Sequence, residues 1–178
     1  MMADINLKGT KTEKNLKKAL QGEALAHLKY QLYKSQLSKY SKEHEQIIDE
    51  IIHNEKEHGK IWFEALHDGV IPANVENLLD AYIGEKYECL EMYPSFSRIA
   101  EDEGFYDIAK LFYQVAKIEG YHMEQFEKMK ADIETGKSFI GDGEARWKCL
   151  NCGYQYDGKE TLDKCPVCSH PKKHFMRI

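Results

Sequence analysis

The chain has 178 residues, with 30 acidic against 25 basic side chains and a formal charge of −5. That length holds one ordinary domain and a small one. The acid excess argues against a nucleic-acid surface, and no run approaches the roughly 18 consecutive apolar residues of a membrane span.

The opening segment lacks the apolar core of a secretory signal, so the expected address is the cytoplasm. From about residue 12 to 135 the sequence is rich in Leu, Lys, Glu, Ala and Ile, with few Gly or Pro, which predicts long helices. The first starts at a Thr10 to Glu13 capping-box pattern and runs to about residue 40. The second spans about 42–67 and stops at Asp68-Gly69, the third starts near Asn74, and the fourth follows Gly104. The connection through Ile71-Pro72 is the one candidate for a crossover between bundle halves. Pro94 lies well inside the third helix, where a kink or break is expected.

Glu-x-x-His occurs four times, so helical phase has to select among the copies. Glu55 and His58 share the stripe of Ile48, Ile51, Ile52, Gly59, Trp62 and Leu66. Glu50, His53, Glu64 and His67 fall on the polar side. Glu119 lies in phase with Ile108, Phe112, Val115, Ala116, Met123, Phe126 and Ile133, with His122 one turn on. Glu23 and Glu85 occupy the same mid-stripe position on the first and third helices. Buried carboxylates need compensating charge, and the stripes offer Lys only near the helix ends. Two divalent metals would supply it. Gly22-Glu23 and Gly84-Glu85 are 62 positions apart, and Glu55 and Glu119 are 64 apart, so the two halves read as a repeat around a pseudo-two-fold dimetal site.

After residue 135 glycines become frequent, and Cys149-x-x-Cys152 and Cys165-x-x-Cys168 follow, twelve residues apart. Four thiolates at this spacing form a metal site, with zinc ribbon and redox iron both open on spacing alone. Cys89 has no such partner and reads as a small buried side chain. The expected division is a helical domain over 1–137, a linker over 138–145 and a cysteine domain over 146–178.

The runs Gly22-Glu23-Ala24-Leu25-Ala26-His27-Leu28-Lys29-Tyr30, Glu55-Lys56-Glu57-His58, Gly84-Glu85-Lys86-Tyr87-Glu88-Cys89-Leu90-Glu91-Met92-Tyr93-Pro94-Ser95-Phe96 and Glu119-Gly120-Tyr121-His122 resemble the rubrerythrin family. The resemblance extends over essentially the whole chain. It implies an all-α ferritin-like four-helix bundle holding two irons, followed by a small rubredoxin-like β and loop domain holding one. By that resemblance Glu55 and Glu119 bridge the irons, Glu23 is terminal on one, and Glu85 and His122 are terminal on the other. His58 and Glu88 alternate at the first iron, His58 in the reduced and Glu88 in the oxidised state. Tyr30 and Tyr93 hydrogen-bond ligand carboxylates. Trp147, Gly153, Tyr154 and Pro166 around the four cysteines look like rubredoxin, whereas Ser169 stands where a second Gly is usual.

The implied activity is reduction of hydrogen peroxide, with electrons arriving through the four-cysteine iron. No nucleotide-binding glycine motif follows a strand, so NADH would act through a separate reductase. The resemblance also implies a homodimer or higher homo-oligomer. A ferroxidase or iron-handling role is the alternative, and the bundle donors suit manganese or zinc as well as iron.

Overall fold

The structure, a computed structural model, describes residues 6–37 and 39–178. It forms two compact units, Met1–Pro72 and Ala73–Ile178.

The first unit is a pair of helices, α1 (Lys11–Leu37) and α2 (Lys42–Leu66). At the start of α1, Thr10 Oγ1 accepts the Glu13 N–H at 3.0 Å, while Glu13 reaches back to the Gly9 N–H at 2.6 Å. Two helix-end donors are thereby satisfied. Ser41 caps α2 by accepting the His44 N–H at 3.2 Å. Ile48 and Ile52 are the buried residues of α2. Each contributes about 1.5–3 kcal/mol through that burial. At the level of Glu23, Gly59 faces α1 with room to spare: a Cβ there would make an ordinary contact, 3.7 Å from that of Glu23.

The second unit opens with α3 (Asn74–Tyr87), a π-helical turn over Glu88–Met92, and α4 (Tyr93–Asp102). Of the kink or break expected at Pro94, no break occurs; the helical run is continuous and widens one turn before the proline. The Tyr93 N–H bonds to the Glu88 carbonyl, five residues back. Pro94 follows directly, in the first turn of α4, where its fixed φ suits the helix. Helix α5 (Tyr106–Glu134) packs on this run through small residues, with Ala100, Ala109 and Ala116 buried and Ser97 Oγ donating to the Ala109 carbonyl at 2.9 Å.

The remainder is a three-stranded antiparallel sheet in the order β2-β1-β3, formed by β1 (Ile140–Cys149), β2 (Gln155–Glu160) and β3 (Phe175–Arg177). Most of the 138–145 stretch, expected as a linker, belongs to β1: Ile140 pairs with Glu160 and Ala145 with Gly158. Backbone pairing outweighs the flexibility its glycines suggest. Trp147, Cys149, Cys165 and Phe175 form the small core, and the Trp147 indole donates to the Gly158 carbonyl at 3.0 Å.

Candidate metal centres

On the first unit, Glu23 from α1 and Glu55 and His58 from α2 offer one ligand atom each within 4.8 Å of one another. His58 Nδ1 lies 3.4 Å from Glu55 and 3.9 Å from Glu23. The Trp62 indole donates to Glu23 at 3.3 Å. Hydrogen bonding with Glu55, and then with Trp62, holds the Glu23 carboxyl below its ordinary value.

On the second unit, Glu85 from α3 and Glu119 and His122 from α5 gather in the same way. His122 Nδ1 lies 2.7 Å from Glu119 and 3.6 Å from Glu85. Here the shift has the opposite sign. Burial, and then the proximity of Glu119, pushes the Glu85 carboxyl up. Glu88, half-buried one turn beyond Glu85, adds a further negative charge felt by both Glu85 and Tyr93. Burial first, and then Glu88, Glu119 and Glu85, raises the Tyr93 phenol. It therefore remains a protonated hydrogen-bond donor at neutral pH.

In the third cluster the sulfurs of Cys149 and Cys168 are 3.7 Å apart and those of Cys152 and Cys165 are 3.6 Å apart. A tetrahedral ion with metal–sulfur bonds of about 2.3 Å needs sulfur separations of about 3.8 Å, so one ion fits. Two matching turns build the cluster. Gly153 N–H bonds to the Cys149 carbonyl at 2.8 Å, and Ser169 N–H bonds to the Cys165 carbonyl at 2.9 Å. Gly153 has φ +81° and Ser169 φ +59°, both left-handed.

Backbone amides are directed at the sulfurs from these turns. The His170 amide lowers the Cys168 thiol, while the Cys168 and Val167 amides lower Cys165 against its desolvation. Four adjacent thiols cannot all ionise without a cation. Cys152 is pushed up to about 12, because desolvation and the other three sulfurs outweigh the Tyr154 amide that favours its thiolate.

The structure thus brings Glu23, Glu55 and His58 together, and likewise Glu85, Glu119 and His122, with Glu88 and Tyr93 beside the second trio. Tyr30 is half-buried on α1, its ring 6.1 Å from that of Tyr33. The polar-face copies behave differently: Glu50 and His53 are exposed, Lys60 pairs with Glu64 at 3.7 Å, and His67 stacks on Phe63. Trp62 was visible only as an apolar-stripe residue. Its place one helical turn beyond His58 was the available signal for an indole reaching Glu23.

The donors suit the metals. Each trio offers two carboxylates and an imidazole, a hard oxygen-rich set for a divalent iron, and the two close carboxylates need a cation between them. The four thiolates suit a single soft site.

Comparison with known proteins agrees with these donor sets. The rubrerythrin family model matches residues 14–130, and the rubrerythrin rubredoxin-like domain model matches 147–176. Rubrerythrin of Nitratidesulfovibrio vulgaris is 36% identical over 182 residues, covering 96% of this chain and 95% of that protein. Rubrerythrin of Porphyromonas gingivalis is 38% identical over 184 residues, covering 96% and 91%. That of Clostridium perfringens is 38% identical over 186 residues, covering 96% and 95%. With two carboxylate and histidine trios, a four-cysteine rubredoxin-like site and similarity along nearly its whole length, the chain belongs to the rubrerythrin family.

Proposed function

We propose that the protein is a peroxidase that reduces hydrogen peroxide to water, drawing electrons through its four-cysteine iron from a separate NADH-linked reductase. The observation that carries this reading is the presence, in one chain, of both carboxylate and histidine trios and a four-sulfur tetrahedron. Converting one peroxide to two waters consumes two electrons and two protons. A pair of ferrous ions supplies both electrons together, and a single iron between four thiolates passes them on one at a time.

The chain's own residues hold and shield that chemistry. With irons bound, Glu55 and Glu119 would be shared between them, Glu23, Glu85 and His122 would each hold one, and His58 and Glu88 would serve as alternative ligands in the reduced and oxidised protein. A fifth carboxylate gives the oxidised site one more negative charge to match its greater positive charge. Tyr93, its phenol raised first by burial and then by the neighbouring carboxylates, and Tyr30 steady ligand carboxylates by donating hydrogen bonds. The amides aimed at the Cys152, Cys165 and Cys168 sulfurs tune the potential of the electron-entry site.

No helix among the described residues is long and apolar enough to cross a membrane. Free Cys-x-x-Cys pairs belong to a reducing compartment, and the cytoplasm is the proposed location.

Anaerobic stopped-flow mixing of the fully reduced protein tests the assignment. Oxidation by peroxide should be much faster than oxidation by dioxygen at equal concentration. The reverse order would make the protein a ferroxidase and overturn the peroxidase reading.

A further inference from the structure

The two oxygens of the Glu23 carboxylate have different neighbours. Oε1 accepts the Trp62 indole N–H at 3.3 Å, whereas Oε2 lies 3.9 Å from His58 Nδ1. One oxygen is tied to a donor and the other is turned toward the trio.

The placement of the indole follows from helix geometry. Trp62 comes seven positions after Glu55 and four after His58, so the three share one face of α2. A long side chain on a helix leans back over the preceding turn. For Trp62 that turn holds His58 and Gly59, and Gly59 lies against Glu23. Trp62, Glu23 and Glu55 are all half-buried, where a hydrogen bond is stronger than in open water.

The chemistry of the indole narrows what the contact can do. Its nitrogen only donates, cannot take a metal and carries no charge. A His or Tyr at this position could itself bind the ion, and a Lys or Arg would neutralise Glu23. Trp leaves the carboxylate its full charge and takes up one lone pair of Oε1. The second helical half has no counterpart: the 64-residue offset from Glu55 to Glu119 carries Trp62 onto Phe126, whose ring has no N–H.

We propose that Trp62 is a positioning residue for the metal of the first trio, its indole N–H pinning Oε1 of Glu23 so that Oε2 alone faces the ion and is set before the ion arrives. A ligand held in advance lowers the ordering cost of binding. Within this trio the proposed reaction exchanges His58 and leaves Glu23 in place, so a fixed Glu23 is the constant anchor.

The inference rests on the first trio being a metal site and not on peroxide turnover. Zinc, which is diamagnetic, serves as the probe in the full-length protein. The chain has two tryptophans and therefore two indole N–H resonances, which NMR assigns in the unaltered chain by their through-space contacts. With zinc in the bundle, the Trp62 N–H should exchange slowly with deuterated water, as should that of Trp147 on the Gly158 carbonyl. A Trp62 N–H that exchanges as fast as a free indole overturns the proposal, and this measurement needs no variant.

Trp62→Phe keeps an aromatic ring and loses the donor. In competition with a chelator too weak to strip the four-cysteine site, it should hold bundle zinc about 10- to 100-fold more weakly. A purely packing role would lower the unfolding temperature of the metal-free protein and leave zinc affinity unchanged; unchanged affinity overturns the proposal. If the unaltered chain takes up no zinc beyond the four-cysteine ion, the reading of the trio as a metal site fails, and the proposal fails with it.

Discussion

The two helical halves carry the same metal trio, yet the second differs from the first by one residue and one charge. Glu23 and Tyr30 are seven positions apart on α1, whereas Glu85 and Tyr93 are eight apart, and between them lies the π-helical turn Glu88–Met92. A π turn absorbs one extra residue without ending the helix. The second half thus keeps its tyrosine in phase while the main chain widens beside the site. Three positions after the first glutamate, the first half has Ala26 and the second has Glu88. One half is a plain holder, and the other adds a carboxylate at the start of a locally widened helix. The shifts agree: the Glu23 carboxyl is held low by hydrogen bonding, whereas burial and neighbouring carboxylates raise that of Glu85.

The largest effect should come from erasing this difference. Glu88→Ala gives the second half the side chain that the first has at the matching position. Both trios remain, so bundle iron should stay at its wild-type level while peroxide turnover falls about 10- to 100-fold, the range typical for groups that tune a metal site without being indispensable to holding it. Metal analysis with steady-state kinetics on the same preparation checks both parts. Unchanged turnover would mean that Glu88 is only a neighbouring acid.

A smaller effect distinguishes how the two halves pack. At Gly59 an added Cβ meets ordinary contacts, 3.7 Å to the Glu23 Cβ and 3.8 Å to Leu20. Gly59→Ala should therefore gain helix propensity and stabilise by about 0.5–1 kcal/mol. At Gly120 the added Cβ would stand 3.1 Å from the Cys89 sulfur in the π turn. Gly120→Ala should recover little of that gain in the native sequence and all of it once Cys89→Ala makes room. A thermal-unfolding double-mutant cycle measures the coupling. Additive effects would show that the π turn does not constrain α5.

The helices and the face carrying the trios were legible in the sequence because a mid-stripe glutamate is costly without a metal, and phase set Glu50 and Glu64 on the other side of α2. The π turn was not. Pro94 is a strong local signal for a break, and helical periodicity carries no term for a hydrogen-bond ladder that changes spacing. The eight-residue interval from Glu85 to Tyr93, against seven in the first half, was the trace it left. The glycines at 141 and 143 suggested free chain, whereas both lie within β1, whose pairs with β2 at Ile140 and Ala145 bracket an irregular stretch of the strand. Trp62 was missed as a donor to Glu23 because phase locates a stripe but not which indole edge meets which carboxylate.

The cysteine domain repeats the comparison at the scale of a single turn. Gly153 and Ser169 occupy matching left-handed positions after the second cysteine of each pair, and only one of them is glycine. A left-handed conformation costs an L-residue roughly 1–2 kcal/mol, so the second turn is strained where the first is not. Ser169→Gly removes that strain but returns freedom to the unfolded chain, which offsets about 0.4–1 kcal/mol. The net stabilisation is about 0.5 kcal/mol, or roughly a two-fold slower loss of the four-sulfur metal to a competing chelator. The Ser169 N–H to Cys165 carbonyl bond needs no side chain and should persist. A faster loss would mean that the serine side chain supports the turn by more than its backbone strain costs.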